Sequence, residues 1–172
     1  MAVRPILVVG NPVLRQKTRR VSKIDKSIQT LIDDMIETMR AAPGVGLAAT
    51  QVGVPLRLAV IEVEDVVTVL INPEIVRIGE PIEKDEGCLS VPGYWGKITR
   101  GETAVAKARD RHGKEIRVKG EGLLAQALQH EIDHLDGVLY IDRIEDHSNI
   151  QRVESPSERP SRRRKQAEQQ AS

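Results

Sequence analysis

Apolar positions recur along this chain in two rhythms. Ile24, Ile28, Leu31, Ile32, Met35 and Met39 repeat at steps of three and four, which predicts a helix over Ile24–Met39 with one apolar face. Ser22, with Asp25 three residues on, supplies a capping box for its start, and Pro43-Gly44 follows its end. A second helix is predicted from near Glu121 to about Leu135, with Gly137 in its C-cap region. Between the helices the rhythm changes. Arg57–Ile61, Val66–Ile71, Ile75–Ile78, Thr103–Arg109 and Glu115–Lys119 are short runs rich in β-branched residues and read as strands. Asp110-Arg111-His112-Gly113 reads as the hairpin loop joining the last two. Short strands that do not alternate with long helices favour an α+β fold of antiparallel or mixed β-sheets with segregated helices.

The last residues break both rhythms. Residues 151–172 carry six basic and three acidic side chains, a net +3 against −2 for the rest of the chain, and few apolar groups. Such a segment buries too little surface to offset the entropy of ordering. One domain over 1–150 followed by a basic, disordered tail over 151–172 is therefore expected, which agrees with a length of 172 residues at about 150 per domain.

Composition narrows the class. No stretch approaches the roughly 18 apolar residues of a membrane span, and the start of the chain lacks a long apolar core, so no export signal and a cytoplasmic location are expected. With one Trp, two Tyr and no Phe, the chain is too poor in aromatic residues to bind nucleic acid by stacking bases on aromatic platforms. The single cysteine, Cys88, excludes an internal disulfide and leaves one thiol to explain.

Chemistry concentrates on the second predicted helix. His130-Glu131-Ile132-Asp133-His134 places two imidazoles four residues apart, on one helix face, where both can hold one ion. Glu131 reaches the same edge and is placed to take a proton from a metal-bound water. It sits among apolar positions, where an unpartnered carboxylate is costly. The competing reading makes both imidazoles hydrogen-bonded core groups. His112 and His147 fall in polar segments and are expected to be solvated. A catalytic metal takes three protein ligands and a water, so a third donor is needed from Cys88, Glu86, Asp85, Asp133 or Asp136. Asp133 points away from the shared face, and Cys88, in a glycine-containing polar stretch, is the favoured candidate. The small, Gly-rich segment over 43–51 lacks a P-loop lysine; it suits close approach of backbone to an extended ligand, and Gln51 can donate to an oxyanion.

Gly44-Val45-Gly46-Leu47-Ala48-Ala49-Thr50-Gln51, Glu86-Gly87-Cys88-Leu89-Ser90 and Gln129-His130-Glu131-Ile132-Asp133-His134-Leu135, in this order and spacing, resemble the peptide deformylases, a likeness that extends over roughly residues 3 to 145. The resemblance implies α+β sheets around a central helix that carries the His-Glu-x-x-His motif. It implies a hydrolase that removes the formyl group from N-formyl-methionyl nascent polypeptides and releases formate, with a metal-bound water as nucleophile. By it, Cys88, His130 and His134 are the metal ligands and Glu131 the general base and acid. Gln51 and the backbone N–H of Leu89 are the oxyanion donors. Gly46 pairs through its backbone with the peptide. Val45, Glu86, Leu123, Ala127 and His130 line the methionine pocket, and Arg100 braces the cysteine loop through Glu86. The implied cofactor is one divalent ion, natively Fe(2+), with Zn(2+), Ni(2+) or Co(2+) as substitutes. The implied enzyme is a monomer, with no membrane partner, that associates transiently with the ribosome, for which the basic run Arg162–Lys165 is the candidate segment. Trp95 stands where some relatives carry an arginine near the pocket rim, which bears on substrate entry. Two other classes share the metal motif: a metal-dependent endopeptidase, and a non-enzymatic metal-stabilised module that binds ribosome or RNA.

Overall fold

The computed structural model describes residues 1–144 and 146–152. Two helices, α1 (Lys26–Ala41) and α2 (Gly122–Leu135), are combined with eight strands. β1 (Gly46–Ala48), β2 (Leu58–Val63), β3 (Val66–Ile78), β6 (Thr103–Arg109) and β7 (Glu115–Glu121) form one sheet in the order β1-β2-β3-β6-β7. β4 (Pro81–Cys88), β5 (Val91–Gly101) and β8 (Ile150–Arg152) form a second, in the order β4-β5-β8. Every ladder is antiparallel, and the one parallel contact among the described residues is the isolated bridge between Arg19 and Leu56. The α+β expectation holds. No described helix is long and apolar enough to cross a membrane.

Alternation within the large sheet sorts its residues between the helices. Leu58, Val60 and Ile71 face one side with Leu47, where the predicted stripe Ile28, Leu31, Ile32, Met35 and Met39 of α1 covers them. Ile61, Leu70, Ala104, Ala106 and Ala108 face the other side and meet Ala125, Leu128 and Ile132 of α2. The alanines of β6 let α2 approach the sheet closely. β7 turns into α2 without an intervening loop because Gly122 adopts φ +58°, a conformation that side chains disfavour. A third core, of Val91, Ile98, Leu139, Tyr140 and Ile144, fastens the small sheet to the segment after α2.

Several expectations change. Asp25, not Ser22, caps α1, its Oδ1 accepting the Ile28 N–H at 3.1 Å. The two strands expected over 66–78 are one strand with register shifts between Ile71 and Glu74 and between Ile75 and Arg77. At the first shift Asn72 takes φ +53° and its side-chain amide clamps the backbone of Val21. β1, β4, β5 and β8 were not expected. β8 also corrects the tail boundary: Gln151 and Arg152 pair with Trp95 and Tyr94 of β5. The remainder of the expected disordered tail, 153–172, lies outside the described residues.

Candidate active site

α2 crosses the inner face of the large sheet and brings its buried polar side to the β4–β5 hairpin. Cys88 stands at the hairpin's end, at the register shift between Gly87 and Cys88. Its Sγ lies 3.3 Å from His134 Nε2, which lies 3.2 Å from His130 Nε2. All three donor atoms fall within 4.8 Å of one another. Bonds of about 2.0–2.3 Å to one tetrahedral ion would separate sulfur and nitrogen donors by roughly 3.3–3.6 Å, so this spacing fits a common divalent ion. The donor chemistry fits too: one potential thiolate and two imidazoles suit iron, zinc, nickel or cobalt.

The other third-donor candidates are occupied elsewhere. Glu86 accepts from Arg100 Nε at 3.0 Å and Nη2 at 2.6 Å. Its Oε2 also holds His130 Nδ1 at 2.8 Å, which leaves Nε2 of that ring as the one turned to Cys88 and His134. Asp133 accepts from Arg100 at 2.7 Å and from Arg143 at 2.6 and 2.7 Å. Asp136 pairs with Arg57, and Asp85, largely exposed, faces Lys97. Burial alone would raise the Glu86 pKa, but the His130 and Arg100 hydrogen bonds bring it down to about 2. His134 Nδ1 is buried and has no hydrogen-bond partner among the described residues. Burial and the neighbouring His130 push the pKa of His134 well down. For His130, burial opposes the charge, yet Cys88, Glu86 and Glu131 together raise its pKa.

Glu131 is buried next to these donors. Its Oε1 lies 3.9 Å from His130 Nε2, and its Oε2 has no partner among the described residues. Burial is the largest cause that raises its pKa, to about 7. Gly46 explains how the carboxylate fits: a Cβ there would sit 2.7 Å from Glu131 Oε1 and 2.9 Å from Cδ. Only a glycine lets β1 pass this close, and β1 is the edge of its sheet, with one side unpaired.

Gln51 belongs to the 3-10 turn Ala49–Val52 that follows β1 and is fully enclosed. Its Oε1 accepts the Ala48 N–H at 2.9 Å, so its Nε2 is the end that faces outward, donating to Ser90 Oγ at 3.1 Å and lying 3.8 Å from Cys88 Sγ. Two backbone bonds from the N-terminal segment, Leu7 N–H to Gln51 O and Val9 N–H to Ser90 O, tie this turn to the cysteine loop.

A cleft of about 490 Å³ opens onto these groups. Its wall includes Val45, Gly46, Gln51, Glu86, Cys88, Leu89, Leu123, Ala127, His130 and Glu131, so ten residues singled out from the sequence meet in one place. His134 lies behind Cys88 and His130, and Arg100 lies behind Glu86; neither belongs to the wall. Leu123 is half exposed at the mouth, beside exposed Val45 and Tyr94. Tyr94, rather than Trp95, lines the cleft. His112 and His147 are exposed, as expected.

Three contributors escaped the sequence reading. Ser90 orients Gln51. Gln126 donates to Glu86 Oε1 at 3.2 Å and to the Asp85 carbonyl. Tyr140 stacks on His130, with ring centroids 6.4 Å apart and planes inclined by 28°. Ser90 closes the quoted motif Glu86–Ser90 without a role having been given to it; Gln126 and Tyr140 carry no local motif, although Gln126 stands one helical turn before His130 on the same face.

Comparison with known proteins returns a matching family model, polypeptide deformylase, over residues 3–149. A peptide deformylase of Dehalococcoides mccartyi strain CBDB1 is 55% identical over 93% of this chain and 97% of its own. One from Thermomicrobium roseum is 46% identical over 92% and 95%. The crystal structure of a Legionella pneumophila peptide deformylase superimposes with a TM-score of 0.82 at 45% identity, covering 99% of this chain and 98% of that one. That of a Synechococcus elongatus peptide deformylase in complex with actinonin gives 0.81 at 43% identity, covering 84% and 80%.

Proposed function

The chain belongs to the polypeptide deformylase family, and we propose that it hydrolyses the terminal formamide of N-formyl-methionyl nascent polypeptides, releasing formate and a free amine. The observation that carries this reading is the meeting, at the floor of one cleft, of three convergent metal donors with a buried carboxylate oxygen that has no partner among the described residues. The family favours neither the endopeptidase nor the non-enzymatic module.

Cys88, His130 and His134 would hold one divalent ion, which would supply Lewis acidity toward water and a carbonyl group. Ferrous iron is taken as the native ion on the resemblance to the family, with zinc, nickel and cobalt as substitutes; the thiolate and imidazole donors suit all four. Glu131 takes the proton of the attacking water and returns it to the departing amine nitrogen; a pKa near 7 suits a group that must both accept and release a proton. Gln51 Nε2 and the Leu89 N–H donate to the oxyanion that develops at the formyl carbon. The amide of Gln51 is held for this by the Ala48 N–H. The unpaired side of β1 at Gly46 receives the peptide backbone as an added strand. Val45, Leu123 and Ala127, with Glu86 and His130 behind them, take the methionine side chain. Arg100 holds Glu86, and through it the His130 ring, in place.

The enzyme acts as a monomer in the cytoplasm, on chains still attached to the ribosome. The basic run Arg162–Lys165, outside the described residues, is assigned to that transient association. The test is formate release from a short N-formyl-methionyl peptide by the anaerobically prepared, iron-loaded chain beside Glu131→Ala. Turnover by the parent, lost in a variant that still binds metal, is the expected result. Undiminished turnover in the variant would remove Glu131 as the base, and absence of formate from the folded, loaded parent would overturn the activity.

A further inference from the structure

α1 covers the outer face of the large sheet only over β1 and β2 and the adjoining part of β3. Beyond it, β6 and β7 present a surface that no other described residues cover. Because Ala104, Ala106 and Ala108 turn inward, Val105, Lys107 and Arg109 turn outward, and their partners across the ladder are Lys119, Arg117 and Glu115. Lys107 thus stands directly opposite Arg117. Like charges in directly opposed positions destabilise a sheet; Glu74, in register with Lys107 on the other side across β3, compensates Lys107, and Arg117 is left without a counter-charge among the described residues. A concavity of about 530 Å³ lies over it, lined by Arg20, Lys107, Arg109 and Arg117 together with Glu74 and Glu115. Glu74 is shared by Arg20 at 3.5 Å and Lys107 at 3.3 Å. Arg109 and Arg117, both exposed, make no ion pair among the described residues. This cationic surface sits on a folded body, residues 1–152, whose net charge is −1.

We propose that the open β6–β7 face is a docking surface for the phosphate backbone of RNA. The charge is complementary, and arginine forks match phosphate oxygens in pairs. Outward residues two apart on a strand are separated by roughly 6.7 Å, comparable to the spacing of successive phosphates along a strand, so Lys107–Arg109 and Arg117–Lys119 form two parallel rows. No aromatic residue stands on the face, so contact is with backbone and indifferent to sequence. β7 is the edge opposite β1. A partner seated there leaves the cleft open, and an enzyme whose substrate is still being synthesised gains from both at once.

The experiment measures fluorescence anisotropy of a labelled RNA hairpin titrated with the full chain over a series of salt concentrations. Three full-length proteins are compared: the parent, Arg109→Gln/Arg117→Gln, and a tail variant in which Arg162, Arg163 and Arg164 are replaced by glutamine. Phosphatidylserine vesicles serve as a second anionic probe. The sheet variant is expected to bind the hairpin roughly tenfold more weakly, with a log–log salt slope lower by about two. Its melting temperature and its formate release from a short peptide should stay at the parent's level, since neither arginine touches the cleft. Hairpin binding by the sheet variant equal to the parent's overturns the proposal, whether the tail variant alone loses binding or no chain binds. Parent binding to the vesicles but not to the hairpin would overturn it in favour of a membrane.

Discussion

Arg100→Met tests whether the guanidinium behind the cleft holds the metal side of the site together. Methionine keeps much of the apolar stem and removes the charge. Three hydrogen bonds disappear: 3.0 and 2.6 Å to Glu86, and 2.7 Å to Asp133. Asp133 keeps both bonds from Arg143, so it retains a cation. Glu86 keeps only His130 Nδ1 and Gln126, and its side chain is 4% exposed. Removing one partner from a buried ion pair costs about 3–5 kcal/mol, and the remaining contacts of Glu86 favour the lower end. At about 2–4 °C per kcal/mol for a chain this long, the melting temperature should fall by about 6–12 °C. The loss should depend on pH in a definite sense. A carboxyl held at about 2 rather than 4.5 contributes stability that is fully present above pH 4.5 and disappears as pH falls toward 2. With Arg100 gone, the pKa of Glu86 rises, so parent and variant should differ most near neutrality and converge on acidification. Urea unfolding of the metal-free proteins at about pH 7.5 and about pH 3 measures this. Glu86→Gln added to Arg100→Met removes the orphaned charge and should recover part of the loss. A neutral-pH loss under about 1 kcal/mol, a difference that ignores pH, or a double variant as unstable as the two single losses added would refute the reasoning.

Glu131→Gln should stabilise the metal-free chain. A carboxyl whose pKa rises from 4.5 to about 7 carries no penalty below pH 4.5, a growing one up to pH 7 and about 3 kcal/mol above it, so the gain should appear at about pH 8 and vanish near pH 4 in thermal melts. Gly46→Ala puts a methyl 2.7 Å from Glu131 Oε1 and should cut kcat on the order of a hundredfold while circular dichroism stays unchanged; activity within twofold would mean the carboxylate need not stand there. Cys88→Ser should weaken metal binding by at least about tenfold in chelator competition, because an alcohol replaces the soft donor, and affinity equal to the parent's would remove Cys88 from the ligand set.

What the sequence showed and what it hid divide along physical lines. Both helices were visible because their apolar stripes repeat within a few residues, and the His-Glu-x-x-His spacing is itself a statement about one helix face. The strands on the large sheet were visible where β-branched residues carry them. The β4–β5 hairpin was not, and the reason lies in what it buries. Along β4 the inward positions are Ile82, Lys84 and Glu86, and along β5 they are Gly96, Ile98 and Arg100. The alternation is present, but the two most enclosed charged positions, Glu86 and Arg100, are a salt bridge in place of two apolar side chains. A search for alternating hydrophobicity passes over such a strand.

The same pair explains why the third metal donor stayed open when only spacing was considered. Glu86, Asp85, Asp133 and Asp136 are as capable of ligation as Cys88 until their partners are known. Those partners, Arg100, Lys97, Arg143 and Arg57, stand on other elements or in another segment of the chain, and no local pattern joins them. Once each carboxylate has its cation, the thiol is the one candidate left facing the imidazoles, at 3.3 Å from His134. The hairpin was hard to read for the same reason that it serves the site. Its buried charges hold the His130 ring, and a hairpin with an apolar interior, easier to recognise, would have had nothing with which to hold it.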